Sequence, residues 1–144
     1  MSQGIALEGM RLVKTYLPQA YADGSDIQAR AQMMSAAAMG ATAFQKGLGA
    51  IHALSHPIGA IYNTHHGTTN AVCMPAVLQF NKSLVNEKLA RAANYLNIFG
   101  GFEGFCDFVD KLNASLDIPK SLTELGIKNM DIERVVDGAI SDPS

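Results

Sequence analysis

Hydrophobic positions along the 144-residue chain recur at spacings of two to four, and no stretch alternates with period two over a useful length. The pattern predicts helices throughout. Residues 4–17 place Ile5, Leu7, Met10, Leu12, Val13, Tyr16 and Leu17 among polar Glu8, Arg11 and Lys14. That is a helix with a wide buried face, and Pro18 should stop it. After the turn signal Asp23-Gly24, Ser25-Asp26-Ile27-Gln28 has the S-x-x-Q form of a capping box and opens a second helix that runs to about Gln45. The small residues of 35–43 point to close packing against a neighbouring helix, not to chemistry.

Glycines 47 and 49 then introduce a helix over Ala50–Ala60, in which Pro57 predicts a kink or a local break. Residues 62–67 are polar and turn-like. Thr68 or Thr69 is a candidate cap for the next helix, which carries Pro75 in its interior and closes at Phe80-Asn81. Leu84–Ile98 has Val85, Leu89, Ala92, Ala93 and Leu96 on one side, and Phe102–Leu116 repeats Phe105, Val109, Leu112 and Leu116. Pro119 breaks that helix, and Ser121–Gly126 is a short helical turn. Ile132, Val135, Val136 and Ile140 form a last amphipathic stripe, capped by Asn129 or Asp131. The fold class is all-α, a bundle of roughly six to eight helices.

Composition narrows the function. The length fits one domain with a core that needs no disulfides. Eleven Lys and Arg are scattered among thirteen acids, which offers nucleic acid no basic surface. Cys73 and Cys106 lie in apolar contexts without CxxC spacing, as buried reduced thiols of a cytoplasmic protein do. No basic-then-apolar leader opens the chain, and no apolar run reaches the ~18 residues of a membrane span.

The chemistry is concentrated in Gly47–Asn81. This stretch holds all four histidines, His52, His56, His65 and His66, and no Asp, Glu, Lys or Arg; carboxylates are absent from Ile27 through Asn86. Buried imidazoles need partners, so the cluster implies a hydrogen-bonded network or a metal. His52 and His56 stand one helical turn apart and share a face. They lack the Glu of a metalloprotease H-E-x-x-H. By itself an HxxxH pair is as readily a hydrogen-bonded core feature as a ligand pair. His66, after a polar turn, adds a third candidate. An ion would also want an anionic ligand, and the nearest acids along the chain, Glu8, Asp23, Asp26 and Glu87, carry no ligand signature. No G-x-G-x-x-G, P-loop or G-x-S-x-G motif is present.

The stretch AFQKGLGAIHALSHPIGAIYNTHHGTTNAVCMPAVLQFN closely resembles the metal-binding core of the iron-dependent (group III) alcohol dehydrogenases. The flanks GIALEGMRLVKTYLPQAYADGSDIQARAQMMSAAAMGATAFQ, EKLARAANYL and IPKSLTELGIKNMDIERVVDGAISD extend the resemblance over nearly the whole chain. It implies the helical C-terminal domain of that family, which packs against an α/β domain that binds NAD(P). One Asp and three His hold the family's ion, Fe or in some cases Zn. The resemblance puts two of those ligands at His52 and His66, fourteen residues apart, a proton-relay role at His56 and the substrate pocket at Leu48. His65 stands where many members have Pro and receives no role.

The family's other two ligands and its Gly-rich NAD(P) domain correspond to nothing in these 144 residues. The resemblance therefore implies a truncated or separately encoded domain that does not oxidise alcohols alone, and that forms homo-oligomers or joins a complementary cofactor-domain chain. The alternative is a non-catalytic helical assembly or binding module whose histidines are inherited.

Overall fold

The first helix runs through the proline expected to end it. The computed structural model describes residues 1–144, apart from the side chain of Lys46, and contains among them seven α-helices and no strand. These are α1 (Ser2–Ala22), α2 (Ile27–Ala43), α3 (Ala50–Tyr62), α4 (His66–Phe80), α5 (Lys82–Tyr95), α6 (Gly101–Ser115) and α7 (Ile132–Ser141), with a 3-10 turn at Phe44–Lys46 after α2. Pro18 lies inside α1 and costs it one backbone hydrogen bond. The helix continues because it packs along α2, and it closes where the Asp23 N–H meets the Gln19 carbonyl at 2.9 Å.

The chain divides into two compact units, residues 1–46 with 85–116, and residues 47–84 with 117–144. The first unit contains α1, α2, α6 and most of α5. Its buried side chains are almost all apolar: Leu12, the alanines 29, 36, 92 and 93, Leu96, and the Phe102, Phe105, Cys106 and Val109 face of α6. The small residues of α2 do what their size implies. A Cβ on Gly9 of α1 would lie 3.4 Å from Met39 Cβ and 3.6 Å from the Ala36 carbonyl oxygen, so the two backbones are nearly in contact. The α2 cap falls one residue later than the sequence motif indicates. Asp26 accepts the Ala29 N–H at 2.9 Å, while Ser25 is bound to Asp23 instead.

In the second unit α3 packs against both α4 and α7. Its core is Ile58, Cys73, Ile127 and Val135, with Leu54, Ile61, Tyr62, Leu122 and Met130 around it. Cys73 and Cys106 are both buried and neither is in a disulfide, as their contexts imply. The 121–126 segment makes a turn, with the Leu125 N–H on the Ser121 carbonyl and the Ile127 N–H on that of Leu122. α7 starts at Asp131, whose carboxylate accepts the Arg134 N–H. Only Val135 of its apolar stripe is buried, and Ile132 and Ile140 stand open at 62% and 79%. Gly138 is where α7 touches α3: a Cβ there would meet the Pro57 Cβ at 2.6 Å. No helix is long and apolar enough to cross a membrane.

Candidate functional site

α3 carries His52 and His56 on one face, and Pro57 does not break it; the helix continues to Tyr62. Asn63, at φ 53°, ends α3 in the left-handed conformation that Asn tolerates. The chain then turns back at once. The buried Thr69 hydroxyl holds this turn, donating to the His65 carbonyl at 2.9 Å and meeting the Thr64 hydroxyl at 2.7 Å. The cap of α4 is His65 and not Thr68 or Thr69: its Nδ1 accepts the Thr68 N–H at 3.3 Å. The histidine that received no role is the one that starts the helix. Ser, Thr, Asp and Asn dominate this position, so a histidine cap leaves little trace in a sequence.

The turn delivers His66, the first residue of α4, beside α3. The rings of His52, His56 and His66 form a triangle with centroids 5.7, 5.3 and 5.5 Å apart, and those of His56 and His66 are nearly parallel, at 20°. Asn70, one turn into α4, completes the group. Its Nδ2 lies 3.3 Å from His52 Nε2 and 3.0 Å from His66 Nε2, while its Oδ1 is buried without a hydrogen-bond partner. With the amide donating to both rings, each presents an Nε2 lone pair to one point. Burial lowers the His52 pKa below the ordinary imidazole value; the positive charge that His66 and His56 can carry lowers it further, against a smaller opposing pull from Asp142. Both effects favour the neutral form of His52, the form in which imidazole binds metals.

The carboxylate beside the cluster is Asp142, just past the end of α7. Its Oδ2 lies 2.8 Å from His56 Nδ1. None of the acids nearest along the chain takes this place: Glu8 pairs with Arg11, Asp23 with Ser25, and Asp26 caps α2. Asp142 is 86 residues from His56, and only its place one turn beyond Gly138 relates it to Pro57. Leu48 lies in the Gly47–Gly49 segment before α3 and is 38% exposed.

Neutral imidazole nitrogens suit Fe or Zn, and the two converging Nε2 atoms fit such an ion as part of its ligand set. Among the described residues no three His, Cys, Asp or Glu side chains form a group able to hold a metal. The arrangement is a pair of imidazole Nε2 atoms turned to one amide nitrogen, with a third histidine whose Nδ1 faces a carboxylate.

The chain resembles known proteins along its whole length. The profile described as "Fe-containing alcohol dehydrogenase family, C-terminal" matches residues 1–144. A 4-hydroxybutyrate dehydrogenase of Cupriavidus necator is 37% identical over 98% of this chain and 39% of its own length. An NAD-dependent methanol dehydrogenase of Bacillus methanolicus is 35% identical over 99% of this chain and again 39% of its own. Among solved structures, a 1,3-propanediol oxidoreductase superposes with a TM-score of 0.92 at 33% identity, covering 99% of this chain and 39% of that one. The chain thus spans about two fifths of the length of the relatives it matches.

Proposed function

The chain belongs to the Fe-containing alcohol dehydrogenase family, as its C-terminal part, and from this we propose that it supplies the histidine-bearing wall of a metal-dependent, NAD(P)-linked alcohol dehydrogenase. His52 and His66 would each give Nε2 to a divalent ion, iron or zinc. His56 takes and passes a proton, and Leu48 lines the substrate pocket. A bound ion supplies Lewis-acid polarisation of an alcohol oxygen. The observation that carries the reading is the convergence of His52 Nε2 and His66 Nε2 on the single Asn70 nitrogen, with His56 within 5.7 Å of both rings.

The 144-residue chain by itself offers two of the four ligands that the family resemblance implies, and a helical fold without a dinucleotide cradle. We therefore expect no meaningful turnover from it. A homo-oligomer or a complementary cofactor-domain chain would cover large apolar side chains that stand open, such as Phe80 at 87% and Leu84 at 77%. Buried thiols outside any disulfide support a cytoplasmic setting. The alternative is a non-catalytic helical module whose histidines are inherited.

Titration of the untagged chain with Fe(II) and with Zn(II), read by calorimetry, tests the proposal. Binding that weakens at least about tenfold in His52→Ala and in His66→Ala is the expected result. No binding, with variants that differ from the parent only in stability, establishes the module reading. NAD(P)-dependent alcohol oxidation by the purified chain alone would refute the expected inactivity.

A further inference from the structure

One missing methyl group lets α7 lie against α3. Gly138 lies against Pro57, the residue after His56, at a distance that leaves no room for a Cβ. One helical turn further on, Asp142 consequently arrives at the same part of α3. Its side chain is only 10% exposed, against 39% for His56, and both oxygens are committed: Oδ2 to His56 Nδ1 at 2.8 Å and Oδ1 to the Ser144 N–H at 2.9 Å. The carboxylate therefore has a fixed orientation. An ionised carboxylate only accepts, so the ring nitrogen that faces it must donate. His52 and His66 differ in this respect, since their Nε2 atoms meet the uncharged Asn70 amide.

We propose that Asp142 is the positioning residue of His56, holding the ring as its Nδ1–H tautomer in one orientation and leaving Nε2 as the proton acceptor. The proposal deepens the reading above and rests on it for the use to which Nε2 is put. The tautomer itself depends on neither metal nor cofactor. A merely structural pair would add a little stability at the surface, as exposed ion pairs do, and would leave the tautomer where an unpartnered ring has it.

Long-range 1H–15N spectra of the full, metal-free, 15N-labelled chain at alkaline pH read the tautomer of each histidine. The Nδ1–H form of His56 is expected to predominate by roughly tenfold, the size of a charge-assisted hydrogen bond. Asp142→Ala should remove that preference. Gly138→Ala, which forces α7 off Pro57, should weaken it while Asp142 is still present. A His56 that is chiefly Nε2–H in the unaltered chain overturns the proposal without need of any variant, as does an unchanged ratio in folded Asp142→Ala. Failure of the metal titration would leave these spectra as they are, so the two readings fail separately.

Discussion

The two compact units are built from the same element and fill their interiors differently. In the unit of α1, α2 and α6, the buried side chains are alanines, leucine and the Phe102, Phe105, Cys106 and Val109 face, and the polar groups sit on the outside. Glu8, for instance, accepts from Arg11 and from the Tyr95 hydroxyl at the surface. The unit of α3, α4 and α7 buries Ser55 and Thr69 completely enough to need internal partners, and gathers three imidazoles, an amide and a carboxylate on one side of α3. Apolar packing is non-directional and tolerates many arrangements of similar volume. Hydrogen bonds fix distance and angle, which a ligand-holding site requires. The difference between the units is thus between a region that only has to be filled and one that has to be aimed.

The largest way to break this contrast lies in the first unit. A Cβ on Gly104 would fall 1.8 Å from the Phe99 carbonyl oxygen, a backbone atom with no side-chain freedom to move away. Gly104→Ala should therefore cost about 3 kcal/mol or more in urea unfolding, while the histidine tautomers of the molecules that remain folded stay unchanged. A smaller effect is expected in the second unit. Thr69→Val keeps the volume but removes the hydroxyl that binds the His65 carbonyl and Thr64. Loss of about 1–2 kcal/mol should follow, and with it a loosening of His66 that weakens metal binding. Equal stability loss with unaltered metal affinity would show that the turn need not be aimed after all.

The smallest effect is electrostatic. The hydrogen bond from Arg11, helped by that from Tyr95, lowers the Glu8 pKa from 4.5 to about 2. A carboxyl whose pKa is depressed in the folded state adds stability that is fully present above its unfolded value and lost as the pH falls through the folded one. The contribution should hold above 4.5 and disappear as the pH approaches about 2. Because the pair is exposed, Glu8→Gln should change the melting temperature only slightly at neutral pH and flatten its fall across that acid window.

Much of the fold could be read along the chain, because helical periodicity is a local property. The S-x-x-Q motif at Ser25 located the start of the second helix to within one residue, the closure of α4 at Phe80 was legible as written, and Asp131 was one of the two caps the sequence offered for α7. Pro18 misled: its cost is one hydrogen bond in a helix whose neighbour along α2 cannot be seen locally. The cap at His65 left no local sign, because the positions that cap helices are usually Ser, Thr, Asp or Asn. Asp142 could not have been chosen over Glu8 or Glu87 from spacing. What brings it to His56 is the fit of Gly138 on Pro57.

The sequence alone determined that the chain is helical, that His52 and His56 share a face, and that all four histidines lie in the uncharged stretch Gly47–Asn81, since each follows from residue types and a period of 3.6. The tertiary structure decided which polar groups meet there. His66 joins because the Thr64–Thr69 hydroxyls close the turn, Asn70 lies between two ring nitrogens, and Asp142 comes from 86 residues away. Contacts between distant segments depend on how surfaces pack, and a gap of a single methyl group between α7 and α3 is enough to decide which carboxylate a histidine receives.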